Sequence, residues 1–289
     1  MAVQRLRFYG DGDGTTGTLF IDLSKALSAT NRKLHRQKQI YTVYGGYYVD
    51  SNGSRIDINV APNTWVTKRA INRGFKMWRK SISETLKNTD GMQTGKYSDF
   101  KLYLNNGMGS STLMPVDAAD VTIPTGEWDY STLVSENEGN VDSFDLHIVG
   151  PHSGSTGSMS RVGLMKSWLD SRPLPTSQNQ PHITSVAKDD PLSNLNDNSG
   201  VVDDRIAQAA DEGDQRPYDE DTFWGYYSDS VSGGENNLQR VSSAVTVANS
   251  IAITPIHGFE ALCGLVQINV SADTSWELVL DVETEGVSF

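Results

Sequence analysis

Two periods of apolar residues organise this chain. From Arg55 to Val60 every second position is apolar, at Ile56, Ile58 and Val60, the alternation of a strand with one buried face. Downstream the period changes. Ile71, Phe75, Trp78, Ile82 and Leu86 recur at helical spacing, within a sector roughly 80° wide when residues are set 100° apart. Arg69, Arg73, Lys76, Lys80 and Lys87 fall on the opposite side. The spacing predicts an amphipathic helix to about Asn88, capped by Asn63 or Thr64 and carrying a basic outer stripe.

The other segments read mostly as strands. Val3 to Tyr9 is a short strand or extended arm, and Gly10-Asp11-Gly12-Asp13-Gly14 is a turn. The apolar run Leu19-Phe20-Ile21 leads to Asp22, a helix cap. A helix is expected from Leu23 to Arg36, with Leu23, Leu27 and Leu34 near one face. Arg32, Lys33, Arg36 and Lys38 crowd its end, where cations suit the helix dipole. Gln39 to Val49 carries tyrosines at 41, 44, 47 and 48 and predicts a strand bulged or bent at Gly45-Gly46. The turn Asp50-Ser51-Asn52-Gly53 is expected to join it to Arg55–Val60 as a hairpin. Further strands are expected at Phe100–Leu104, Trp128–Val134, Phe144–Val149, Val241–Ile253, Phe259–Val270 and Trp276–Glu283, and a short helix at Arg161–Ser171. With about eight to ten strands, helices in the connections and no α/β alternation, the pattern favours an all-β sandwich or jelly roll over a doubly wound sheet.

Composition narrows the class. Of 289 residues 37 % are hydrophobic, low for a compact enzyme, yet 6 Trp, 11 Tyr and 8 Phe spread along the chain supply a core. The formal net charge of −12 hides an asymmetry. Residues 1–101 hold 17 Lys and Arg against 8 Asp and Glu, whereas residues 102–289 hold 7 against 28. This split predicts two electrostatically different faces. Residues 176–238 are polar and irregular, with 12 acidic and 2 basic residues between 189 and 229. Loops of such length are uncommon unless functional or packed on neighbours. They are expected to form a solvated outer surface and part of the subunit contacts. Asp189, Asp190, Asp203 and Asp204 are the adjacent pairs that a divalent cation could bridge.

The motifs exclude more than they assign. Gly12-Asp13-Gly14-Thr15-Thr16-Gly17 matches G-x-G-x-x-G, but Thr18-Leu19-Phe20-Ile21 after it prefers a strand where a dinucleotide site needs a helix. As an EF-hand opening, Asp11-Gly12-Asp13-Gly14 fails at position six, Thr16, and at position twelve, Asp22. The histidines His35, His147, His152, His182 and His257 form neither H-x-x-x-H nor H-E-x-x-H. Pro151 to Gly157 contains no G-x-S-x-G elbow. Cys263 is the single cysteine, so no internal disulfide and no cysteine zinc site is expected; it reads as a buried small hydrophobe. No run of 18 apolar residues is present, so membrane insertion is not expected. Met1 to Gly10 carries Arg5 and Arg7 without the apolar stretch of a secretory signal. No catalytic residue, metal site or cofactor is assigned, and a structural or assembly protein accounts best for the pattern.

Particular stretches carry a resemblance. Ile21-Asp22-Leu23-Ser24-Lys25-Ala26-Leu27-Ser28 leads into Asn31-Arg32-Lys33-Leu34-His35-Arg36-Gln37, then the tyrosine-rich strand, then Asn63-Thr64-Trp65-Val66-Thr67-Lys68 opening a helix that passes Trp78-Arg79-Lys80. Val162-Gly163-Leu164-Met165-Lys166-Ser167-Trp168-Leu169-Asp170-Ser171-Arg172-Pro173 and Arg216-Pro217-Tyr218-Asp219 belong to the same set. Together, and discontinuously from Leu19 to Tyr218, they resemble the capsid proteins of small circular Rep-encoding single-stranded DNA viruses, especially those assembled from environmental samples. The resemblance implies one jelly-roll domain over 1–289, with a basic segment at 1–38 and the acidic loops at 176–238. It implies a virion protein that assembles in many copies into an icosahedral shell around single-stranded DNA, bound without sequence preference, and that meets a host-surface receptor. Many such capsids open on a long Arg-rich arm. Here only Arg5 and Arg7 precede Lys25, so the interior charge must come from folded elements. The charge split assigns the DNA-facing lumen to Arg5, Arg7, Arg32, Lys33, Arg36 and Lys38, with the helix stripe Arg69, Arg73, Lys76 and Lys80 in reserve. The alternative is a β-sandwich carbohydrate-binding or adhesin-like module, whose sugar-stacking residues the scattered Trp and Tyr would supply.

Overall fold

The computed structural model describes residues 2–10, 17–50, 52–88, 95–137, 140–155, 158–171, 238–247, 252–271 and 275–289. The chain divides into two compact units, Met1–Asp170 with Asp221–Phe289, and Ser171–Glu220. Apart from Ser171, the second unit lies outside the described residues. So do the acidic region as far as residue 237 and its four candidate aspartates.

In chain order the elements are β1 (Val3–Gly10), β2 (Gly17–Asp22), α1 (Leu23–Asn31), β3 (Ile40–Asp50), β4 (Arg55–Val60) and α2 (Trp65–Asn88). A smaller group follows: β5 (Thr132–Asn137), β6 (Asn140–His147), β7 (Ser153–Ser155), β8 (Ser158–Gly163) and α3 (Leu164–Asp170). The last strands are β9 (Gln239–Val245), β10 (Ala252–Leu262), β11 (Leu265–Val270) and β12 (Trp276–Glu283). Two antiparallel sheets carry the unit, ordered β1-β12-β3-β10 and β2-β11-β4-β9. A third sheet, β5-β6-β8-β7, is mixed, with β6 and β8 parallel. The fold is therefore mostly β and built as an antiparallel sandwich.

Alternation builds its core. Leu6 and Phe8 of β1, Ile56, Ile58 and Val60 of β4, and Trp276, Leu278, Leu280 and Val282 of β12 are buried together between the two large sheets. Of the residues of opposite parity on β1 and β12, Arg5, Arg7, Glu277 and Asp281 form a polar outer face, while Val279 is buried. The β2-β11-β4-β9 sheet differs, because its outer face is covered too. Phe20 and Leu265 enter a second apolar cluster with Val66 and Ile71 of α2, Leu102, Leu104 and Ile148. A strand buried on both faces loses its alternation.

Several expectations are corrected here. Strands β3 and β4 do not form a hairpin; they lie in different sheets, β3 between β12 and β10, and β4 between β11 and β9. The expected strand Phe259–Val270 is two strands, turned at Cys263 and Gly264 with φ of 58° and 66°. At this tight turn the chain passes from one large sheet to the other, β10 pairing with β3 and β11 with β2 and β4, and the continuous buried apolar run concealed it. Cys263 is buried as expected. The expected strand Val241–Ile253 likewise ends at Val245, and β10 begins at Ala252. The first helix stops at Asn31, because Arg32 adopts a left-handed conformation as its C-cap. The chain then turns back, so that the His35 N–H donates to Ser28 Oγ at 2.8 Å and the Gln37 side chain becomes fully buried. Phe100–Leu104 is buried but makes only an isolated bridge at Tyr103. Its main-chain groups bond instead to Gln37, Ser131 and the Leu146–Val149 segment. At the other end of this region Arg161–Gly163 continues strand β8, and α3 starts only at Leu164. The bulge at Gly45 is present: Asp281 faces Gly45 while Val282 faces Val43, so Tyr44 is the extra residue of β3 in this ladder.

Candidate nucleic-acid interface

The structure sorts the basic residues into three groups. Arg5 and Arg7 project from the outer face of β1. Arg5 holds Asp281 through two hydrogen bonds, Nε to Oδ1 at 2.7 Å and Nη2 to Oδ2 at 2.8 Å. Arg7 donates to Glu277 at 2.7 Å, to Asp120 at 3.1 Å and to the Asp117 carbonyl at 3.0 Å. These hydrogen bonds raise the pKa of both guanidinium groups and leave little uncompensated charge at this face.

The second group lies on the connection between α1 and β3. Arg36 donates to the Ser98 carbonyl at 3.1 Å and to Asp99 Oδ1 at 3.2 Å. Asp99 Oδ2 accepts the Gln37 N–H at 3.0 Å. Burial raises the Asp99 pKa, and the Gln37 N–H and Arg36 oppose that rise. Lys38 donates to the main-chain oxygen of Phe289 and lies over the rings of Phe75, at 5.1 Å, and Phe289, at 4.8 Å. Burial lowers its pKa. Arg36, Lys38 and Arg79 of α2 line an open groove of about 550 Å³ whose apolar wall is Phe75, Trp78, Ile82 and Leu86. Phe75 and Trp78 are stacked at 5.9 Å. On the other side of the Tyr97–Asp99 segment is a cleft of about 200 Å³, lined by Arg32 and Lys33 together with Lys25, Lys101, Tyr97, Glu127 and Trp128.

One buried network holds this connection in place. Asp22 caps α1 by accepting the Lys25 N–H at 3.1 Å, and it accepts Ser24 Oγ at 2.5 Å. Its other oxygen accepts Gln37 Nε2 at 3.1 Å and the Tyr130 hydroxyl at 3.4 Å. Gln37 reaches on to the Leu102 carbonyl at 3.0 Å. The Asp22 pKa is raised by burial, against the hydrogen bonds that favour its carboxylate. Fixing both ends of Gln37 orients Arg36 and Lys38 on either side of it.

The third group is the helix stripe. Arg69, Lys76 and Lys80 are exposed on α2, and Lys80 lies 3.7 Å from Glu84. Arg73 is half-buried and donates to the Ser167 carbonyl of α3 at 2.9 Å. This stripe is on the side of α2 away from Phe75 and Trp78, so it does not join the groove. Arg79 does, although the sequence reading passed over it. Its position at about 80° from Ile71, beside the apolar sector, was the available signal. Lys25, in the amphipathic start of α1, and Lys101, inside the apolar run Phe100–Leu104, join the second cleft only through the tertiary fold.

Cations beside aromatic rings suit a flexible polyanion: the side chains take phosphates and the rings take bases. Among the described residues no three His, Cys, Asp or Glu gather as metal ligands would, and no helix is long and apolar enough to cross a membrane. Compared with protein-family models, curated proteins and solved structures, the chain matches none.

Proposed function

We propose that this chain is a coat protein that self-assembles into an icosahedral shell around single-stranded DNA, and that its sandwich is a jelly roll. The strand order carries the reading. Among the eight strands of the two large sheets, counted along the chain, the first pairs with the eighth, the second with the seventh, the third with the sixth and the fourth with the fifth. Successive pairs alternate between the sheets. A long antiparallel ribbon rolled up in this way makes the eight-stranded double Greek key of a jelly roll.

That fold serves capsids, lectins and enzymes alike, so the site must discriminate. The clefts favour a polyanion over a neutral sugar. The Lys101 ammonium lies 4.3 Å from the Trp128 ring centre, and Trp78 shares its groove with Arg36, Lys38 and Arg79. Trp128 and Trp78 are the tryptophans that line the two clefts, and cations accompany both. The α1–β3 connection is accordingly assigned to the DNA-facing surface, with Arg5 and Arg7 contributing little.

Electron microscopy and size-exclusion chromatography of the purified protein test the assembly. Closed particles of megadalton mass are expected, and a stable monomer at all concentrations would overturn the reading. DNA contact is tested on dissociated subunits, by titrating labelled oligothymidylate across a salt series. Substituting Arg36, Lys38 and Arg79 together by alanine should weaken binding and flatten its log–log salt slope by about 2, since each lost phosphate contact on a single strand is worth roughly 0.7. The Arg5→Ala, Arg7→Ala pair should leave the slope unchanged. If the two variants behaved alike, the α1–β3 connection would lose its assignment.

A further inference from the structure

We infer that the cleft lined by Lys25, Arg32, Lys33 and Lys101 is a binding site for a phosphoryl group. The inference rests on the coat-protein reading only for the source of that group, the backbone of a single DNA strand. Lys25 is 7 % exposed and Lys101 8 % exposed, so two ammonium-bearing side chains are buried at one small cleft. Burying an ammonium is costly unless a counter-charge or hydrogen-bond acceptors replace its water.

Among the described residues the Lys25 Nζ has neither hydrogen bond nor ion pair. The nearby Asp22 is engaged by Ser24, Gln37, Tyr130 and the Lys25 N–H. Burial already holds the Lys25 pKa below its ordinary value, and Asp22 only partly restores it. Lys101 lies over the aromatic face of Trp128; its charge reaches the carboxyl of Asp99, but it closes no ion pair among the described residues. Arg32 and Lys33 add two exposed cations at the mouth, and Glu127 is the single carboxylate among the described lining residues. Four cations against one acid match a multiply charged tetrahedral anion better than a lone carboxylate. Size agrees: about 200 Å³ is below the roughly 300–1,000 Å³ that encloses a drug-sized ligand. The cleft therefore admits a phosphoryl group without enclosing a nucleoside.

The test uses thermal melts of dissociated subunits in sodium phosphate and in sodium chloride at matched ionic strength. Phosphate should raise the Tm in a saturable way. In Lys25→Met that rise should disappear, while the Tm in chloride equals or exceeds the wild-type value, because a buried charge has been replaced by an apolar chain of similar size. Phosphate also stabilises proteins generally through exclusion from their surface, so the diagnostic is the difference between variants. A full phosphate shift in Lys25→Met overturns the proposal. Lys33→Ala, at the exposed mouth, provides the same test if Lys25→Met does not fold: a reduced shift is expected, and an unchanged one overturns the site. Adding oligothymidylate identifies the source. Loss of the phosphate-dependent shift assigns the site to backbone phosphodiesters, and its persistence assigns it to free phosphate, the phosphoryl site standing in both cases. The shift is measured on subunits, so a failure to form particles would remove the coat-protein reading without touching this one.

Discussion

Gly46→Ala should leave no folded sandwich. A Cβ at this position would overlap the carbonyl oxygen of Val279 and come within 2.9 Å of its carbonyl carbon. The obstacle is backbone, so no rotamer change relieves it. Nor can the neighbouring strand retreat. β12 is an inner strand between β1 and β3, and Val279 is fully buried, as are Leu278 and Leu280 on either side of it. Moving β12 would break its ladder with β3 and open the core around Trp276. The cost should exceed about 4–5 kcal/mol, a range reached only by severe core disruption. A typical domain has roughly 5–15 kcal/mol in all. Soluble yield and a circular-dichroism melt measure the effect. Gly107→Ala is the control, because its added Cβ would come no closer than 3.5 Å to Asn105 Oδ1. A cooperative wild-type melt from Gly46→Ala would mean that the strands do not need this close approach.

The second large effect is a loss of stability in mild acid. His147 is fully buried on β6. Its Nε2 lies 3.0 Å from the Pro151 carbonyl, which fixes Nε2 as the protonated nitrogen, and its buried Nδ1 has no hydrogen-bond partner among the described residues. Burial lowers the His147 pKa from 6.5 to about 4. The unfolded chain therefore takes up a proton near pH 6.5 that the folded chain refuses until about pH 4. The stability contributed by this group is complete above pH 6.5, declines as the pH falls, and is gone below about 4. Its size is about 3 kcal/mol. Asp22 and Asp99 act in the opposite direction. Burial raises both carboxyls, so their contribution grows as the pH falls. His147→Gln keeps a donor for the Pro151 carbonyl and cannot titrate. Unfolding free energies from urea titrations at pH 7 and pH 4.5 should differ by about 2–3 kcal/mol more in the wild type than in this variant. Equal losses in the two proteins would mean that another group sets the acid sensitivity.

Elements whose signal is local were legible in advance. The alternation from Arg55 to Val60 is β4, and Trp276 to Glu283 is β12. The helical period from Ile71 to Leu86 lies within α2, where the Thr64 hydroxyl accepts the Thr67 N–H as a cap at 3.2 Å. The Gly45 bulge was read from its glycines. Misreadings arose where burial from a second direction erased the period, as at Phe259–Val270, or where a distant partner set a local conformation. Arg32 ends α1 early in a sequence that could have continued as helix, in a chain path that carries Gln37 to Asp22 and Leu102.

The candidate site divides along the same line. Its residue types were visible, because a basic first third against an acidic remainder is a property of composition, and composition needs no fold. Which of those cations keep an uncompensated charge was not visible. Arg5 meets Asp281 across 276 positions of chain, and Arg79 reaches Arg36 and Lys38 only because α2 packs beside the α1–β3 connection. The alternating strands β4 and β12, the apolar face of α2 and the charge asymmetry follow from the sequence by itself, the first two because they depend on spacings of two to four residues and the last because it is composition. The pairing of β3 with β10 and β12, the second core over the outer face of the β2-β11-β4-β9 sheet, and the separation of paired from unpaired cations belong to the tertiary structure alone. Each requires groups far apart in the chain to meet, and no local period records which groups those will be.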